Sequence, residues 1–104
     1  MEYSEALFVY GTLKNSVTQQ EVFGRVVVGR SDTLLGYKKS SVIISGKKYP
    51  ALIVDGAGII NGLIIFVSPS ELQRIDSYET SAYTRIGVNV ESGFLVWVYI
   101  KTIA

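Results

Sequence analysis

Asp76-Ser77-Tyr78-Glu79, followed closely by Tyr83-Thr84-Arg85, gathers two carboxylates, two phenols and a guanidinium into ten residues. The chemistry such a set can do is proton transfer. If Leu72 to Tyr78 form a helix, Glu79 follows Leu72 by seven residues and Ile75 by four. At about 100° per residue its carboxylate then sits almost above Leu72, on the face that packs inward. A carboxyl aimed at a core has a raised pKa and becomes a candidate proton acceptor near neutral pH. Asp76, four residues after Leu72, falls near the edge of the same stripe. Arg85 is expected to pair with an acid or orient the loop rather than take part in chemistry. The segment also reads as a solvated helix end, with Arg85 pairing to one of the acids at little net gain.

A second set is Tyr10-Gly11-Thr12-Leu13, directly after the apolar run Ala6-Leu7-Phe8-Val9-Tyr10. Glycine at a strand end lets the chain turn sharply and lets a ligand come close. Successive free N–H groups in such a turn can hold a carboxylate or an oxyanion. A plain strand-to-loop turn has the same local pattern. In Tyr49-Pro50-Ala51, Pro50 belongs at a sheet edge or bulge, where Tyr49 can line a pocket. Trp97 and Tyr99, at strand spacing, read as core or sheet-face residues.

Absences narrow the chemistry further. The chain of 104 residues has no His and no Cys. Thiolate nucleophiles, imidazole bases, disulfides and the usual zinc, copper and haem ligand sets are therefore out of reach. A Ser-His-Asp triad cannot be built from it. Proton transfer near pH 7 falls to Asp, Glu, Lys or Tyr. No cofactor is expected. Ten basic against nine acidic residues leave a net charge of +1, which disfavours nucleic acid and anionic membrane as partners. There is no long apolar run, and the start Met1-Glu2-Tyr3-Ser4-Glu5 is acidic, unlike a signal peptide. The expected location is the cytoplasm.

The elements that must position these residues form one α+β domain, 1–104, long enough for one real core but not two. After the first strand, Ser16 can cap a short helix through Val22-Phe23, and Gly24 stops it. Asp32 to Tyr37, Ser41 to Ile44 and Tyr49 to Val54 read as strands, with a turn at Ser45-Gly46-Lys47 and another at Asp55-Gly56-Ala57-Gly58. Ile59 to Val67 is apolar on both faces and suits a central strand. Ser68-Pro69-Ser70-Glu71 is a strong helix start: Ser68 caps, Pro69 fits the first helical position, and Glu71 completes a capping box. Tyr83 to Val90 and Phe94 to Lys101 read as strands around the turn Glu91-Ser92-Gly93. The sum is a small, strongly curved, barrel-like sheet with two short helices. The apolar edges of such a sheet leave a homodimer open.

In order and spacing, several pieces resemble the γ-glutamylcyclotransferase-like superfamily, which includes the AIG2-like proteins and γ-glutamylamine cyclotransferase. They are Phe8-Val9-Tyr10-Gly11-Thr12-Leu13-Lys14, Val22-Phe23-Gly24-Arg25, Leu35-Gly36-Tyr37, Tyr49-Pro50-Ala51, Gly62, Val67-Ser68 with Glu71-Leu72, Asp76-Ser77-Tyr78-Glu79, Tyr83-Thr84-Arg85 and Trp97-Val98-Tyr99. The resemblance implies a small mixed barrel with a cavity where the Tyr-Gly-Thr-Leu loop meets the glutamate after the second helix. It implies that Tyr10, Gly11, Thr12 and Leu13 hold a γ-glutamyl group. Glu79 would be the general acid/base, with Asp76 as the helix-side acid; beside what the resemblance implies, Tyr49, Tyr83 and Arg85 are candidates for supporting roles. The implied reaction cyclises a small-molecule γ-glutamyl substrate to 5-oxoproline and releases its amine, without a metal. The chain departs from the commonest pattern at Thr80, where many members carry glycine, and in a short segment after Lys14.

Other readings stay open. The same cavity could serve a non-catalytic small-ligand-binding module. A structural domain would have a filled core and Glu79 paired to Arg85. A glycosidase-like pair of Asp76 and Glu79 fits poorly, because both acids would lie on one side of a substrate.

Overall fold

The computed structural model describes residues 2–102. Met1 of the acidic start and the last two residues of the expected 1–104 domain lie outside the described residues. Five strands and two helices run in the order β1 (Glu5–Val9), α1 (Ser16–Phe23), β2 (Arg30–Ile44), β3 (Lys47–Val67), α2 (Pro69–Glu79), β4 (Tyr83–Asn89) and β5 (Leu95–Lys101). Short 3-10 turns at Thr12–Lys14 and Thr80–Ala82 flank α1 and α2. The strands form one mixed sheet in the order β2-β3-β1-β5-β4. All neighbours are antiparallel except β1 and β5, which run parallel. The sheet curls into a half-barrel.

Both faces of the central strands carry buried residues, and strand alternation divides the core between them. Leu7 and Val9 point with Ile65 and Val67 towards the helices, where they meet Phe23, Leu72 and Ile75. Phe8 and Tyr10 point the other way, into the curl, with Leu34, Leu52, Ile60, Ile64, Val96 and Val98. This explains why β1 and the second half of β3 are apolar at nearly every position. That half of β3 lies between β2 and β1, as the Ile59 to Val67 run predicts.

Three expectations need correction. Asp32–Tyr37 and Ser41–Ile44 are parts of one strand, β2, and Asp55-Gly56-Ala57-Gly58 does not end β3. Leu35 pairs with Ile59 and Tyr37 with Val54, so Gly36 alone lies opposite those four residues. The Asp-Gly-Ala-Gly stretch is a bulge that bends a continuous long hairpin. The turn at Ser45-Gly46 does close that hairpin, with φ of 50° and 77° at its two residues. The cap of α1 is Asn15 rather than Ser16: its side chain accepts from the Val17 N–H at 2.8 Å. Both types cap well, and the helix begins at Ser16, one residue earlier than Ser16 as cap requires.

The start of α2 is as expected. Ser68 Oγ accepts from the Glu71 N–H, and the Glu71 carboxylate accepts from the Ser68 N–H. That capping box fixes the phase of the helix, so Leu72, Ile75 and Glu79 share its buried face. Among the described residues no helix is long and apolar enough to cross a membrane.

Candidate active site

β1 ends at Val9, and the chain turns at Gly11 into the Thr12–Lys14 3-10 turn. Glycine suits this position by proximity: a Cβ on Gly11 would lie 3.0 Å from Pro50 Cγ, a tight contact. The turn is held from behind by Gln19, 2% exposed, whose amide nitrogen donates to the Leu13 carbonyl at 2.8 Å. Its amide oxygen accepts from the Val27 N–H. The N–H groups of Gly11, Thr12 and Leu13 have no backbone acceptor among the described residues. They remain available to a ligand.

A cavity of about 120 Å³ opens beside this turn. Tyr10, Gly11, Thr12 and Leu13 line it together with Tyr49, Tyr83 and Glu79. Seven of the nine singled-out residues thus converge on one space. Asp76 and Arg85 do not line it; they lie behind Glu79. A filled core at Tyr10-Gly11 is ruled out by this cavity.

Glu79 is the last residue of α2 and is 9% exposed. Burial, and then the negative charge of Asp76, push its carboxyl up to about 7. It has no hydrogen-bond donor among the described residues, yet its oxygens are not sealed off, so they meet the cavity. Arg85 is not its partner. The guanidinium donates to both oxygens of Asp76, at 2.8 and 3.1 Å, and stacks 4.1 Å from the Trp97 ring centre. Tyr99 also donates to Asp76, at 2.5 Å. Burial pushes the Asp76 carboxyl up, but the Arg85 and Tyr99 hydrogen bonds outweigh it and hold Asp76 below its ordinary range. Two acids three residues apart therefore have opposite environments: one is a fixed anion, the other a group poised to exchange protons.

The tyrosines build the walls. Tyr10 donates its phenol to the Tyr99 carbonyl at 2.5 Å, so its hydroxyl is committed to the fold. Tyr83 donates to the Pro50 carbonyl at 2.6 Å, tying the start of β4 to the long hairpin. Burial, then the charge of Glu79, push the Tyr83 phenol up to about 12. Tyr78 and Thr12 share a hydroxyl hydrogen bond of 3.1 Å that joins α2 to the Gly11 turn. Sequence reasoning counted Tyr78 among the phenols of the Asp76–Arg85 set without giving it a particular role, and read Tyr99 as a core or sheet-face residue. Tyr99 lies 89 residues from Tyr10 and 23 from Asp76, and no local pattern signals either contact.

The half-barrel and this carboxyl-bearing cavity define a class of small proteins that is recognisable by comparison. A sequence profile described as gamma-glutamyl cyclotransferase, AIG2-like, matches residues 7–103, and the chain belongs to that family. AIG2-like protein C of Arabidopsis thaliana is 32% identical over 85 residues, covering 81% of this chain and 48% of the relative. Protein AIG2 C of the same plant is 30% identical over 88 residues, covering 84% and 52%. The chain thus spans about half the length of these relatives. A solved structure named gamma-glutamyl cyclotransferase superposes with a TM-score of 0.77 at 15% identity, covering 94% of this chain and 66% of that one. An AIG2-like protein from Mus musculus gives 0.71 at 22%, covering 97% and 79%. At those identities the two structures establish the fold.

Proposed function

We propose that the chain is a γ-glutamylcyclotransferase-like enzyme that converts a γ-glutamyl group to 5-oxoproline and releases the attached amine. The observation that carries this reading is Glu79: a carboxyl near pKa 7, without a hydrogen-bond donor among the described residues, on a cavity that the Gly11 turn also lines.

The reaction asks little of the protein. The substrate's own α-amine is the nucleophile, so no catalytic Ser or Cys is needed. Its ammonium gives a proton to Glu79. The freed amine attacks the γ-carbonyl carbon, forming the ring C–N bond and an oxyanion. As the oxyanion collapses, the bond to the leaving nitrogen breaks, Glu79 returns its proton to that nitrogen, and the ring nitrogen gives up its remaining extra proton to the released amine, which departs as an ammonium. Holding the glutamyl chain bent supplies much of the rate, because the attack is intramolecular. An ordinary glutamate with a pKa of about 4.3 is too weak a base; one near 7 suits both halves of the cycle. The N–H groups of Gly11, Thr12 and Leu13 would meet the α-carboxylate or the oxyanion. Among the described residues Glu79 is the only Asp, Glu, Lys or Arg lining the cavity, which favours a cationic group such as the substrate ammonium.

The test is a panel of γ-glutamyl amino acids and amines incubated with the protein and analysed by mass spectrometry. Release of 5-oxoproline supports the reading. Bound compound without product would instead assign a ligand-binding module, and neither binding nor product would overturn both.

A further inference from the structure

A second, more open groove adjoins the cavity and is lined by Gly11, Thr12, Lys14, Asn15, Thr18 and Pro50, with Tyr10 at its border. Tyr10, Gly11, Thr12 and Pro50 line both spaces, so the two meet where Gly11 passes Pro50. We infer that this groove receives the leaving half of the substrate and that Lys14 recognises a carboxylate on it, so that the preferred substrates are γ-glutamyl amino acids rather than simple γ-glutamyl amines. The inference rests on the cyclisation proposed above and adds its specificity.

Size is the first argument. Pockets for drug-sized ligands span roughly 300–1,000 Å³. The inner cavity, at about 120 Å³, suits a glutamyl head but leaves the attached amine outside. The outer groove is the adjoining space. Glycine at position 11 keeps the junction narrow but open, since any side chain would press on Pro50.

Charge is the second argument. Among the described residues Lys14 is the only ionisable side chain lining the groove besides Tyr10, whose phenol is committed to Tyr99. It is exposed and forms no ion pair among the described residues. Asn15 Oδ1 is already occupied by the Val17 N–H. The Lys14 N–H donates to the Gly11 carbonyl at 3.1 Å, so the base of the lysine is fixed to the turn that borders both spaces. A dipeptide would therefore present its α-ammonium to Glu79 in the cavity and its terminal carboxylate to Lys14 in the groove.

The experiment compares γ-glutamylalanine with γ-glutamylethylamine, which differ by that carboxylate, using the wild type, Lys14→Met and Lys14→Arg. An exposed ion pair contributes up to about 1 kcal/mol, so kcat/KM should favour γ-glutamylalanine by up to about fivefold in the wild type. Lys14→Met should bring the two compounds level, with the loss falling on γ-glutamylalanine, and Lys14→Arg should restore the preference. Equal kcat/KM values in the wild type would overturn the inference while leaving cyclisation intact. So would equal losses on both compounds in Lys14→Met, which would place Lys14 against the glutamyl head. No 5-oxoproline from either compound would overturn cyclisation, and the inference with it.

Discussion

Asp76 and Glu79 stand three residues apart at the end of α2, and Arg85 binds the first through both carboxylate oxygens while leaving the second without a hydrogen bond. The arrangement separates two jobs. Asp76 is locked as an anion by Arg85 and Tyr99, and its charge adds to burial in keeping Glu79 near neutrality.

Removing the Asp76 charge should therefore weaken the base. In Asp76→Asn the negative charge that opposes ionisation of Glu79 is gone, which favours the ionised Glu79. The pH at which kcat/KM reaches half its plateau should fall by about half to one pH unit, and the plateau itself should drop as basicity falls. A pH–rate profile from pH 5 to 9 checks this; an unchanged midpoint would show that Asp76 does not tune Glu79.

Glu79 should also leave a mark on stability. Its carboxyl moves from 4.5 to about 7 on folding, so the folded state binds the proton more tightly than the unfolded chain. The Glu79 contribution to stability is then most favourable below pH 4.5, falls as pH rises through the window to about 7, and is fully reduced above it, by ~3 kcal/mol. Glu79→Gln lacks this penalty. Denaturant unfolding of both proteins at pH 4.5 and 8 should show the variant's relative stability rising by about that amount at the higher pH. The other carboxylates cancel in the comparison.

Thr80 follows Glu79 with φ of 64° and ψ of −173°, a region that favours glycine and is an outlier for a β-branched residue. Such a backbone costs roughly 1–3 kcal/mol. The compensation visible at Thr80 is a weak bond, its hydroxyl accepting from the Ala82 N–H at 3.3 Å. Thr80→Gly should relieve the strain and lose part of the gain to the freer unfolded chain, for a net stabilisation of about 1 kcal/mol. Thermal or denaturant unfolding measures it.

Much of this site was legible because local rules set it. The Ser68 capping box fixes the phase of α2, and the spacing of Leu72, Ile75 and Glu79 then puts the carboxyl on the buried face. The glycine after β1 marked the turn that closely approaches another segment, although nothing local identified that segment as Pro50. The Asp55–Gly58 stretch was misread because a bulge uses the same small and polar residues as a turn, and only pairing with β2 across Gly36 distinguishes them. Neither Tyr10 donating to the Tyr99 carbonyl nor Tyr99 donating to Asp76 could be seen, because the fold alone brings those residues together. A residue-type pattern indicates what a phenol can do; it does not indicate which acceptor has already taken it.

The most direct test of the account is the rate of 5-oxoproline release by wild type and Glu79→Gln from one γ-glutamyl substrate at pH 8. The substitution is nearly isosteric and removes the proton acceptor while keeping the cavity. A loss of about 10²–10⁴-fold in kcat, in a variant that is folded and at least as stable as wild type, is the predicted result. Release at the wild-type rate would contradict the assignment of Glu79 as the proton carrier.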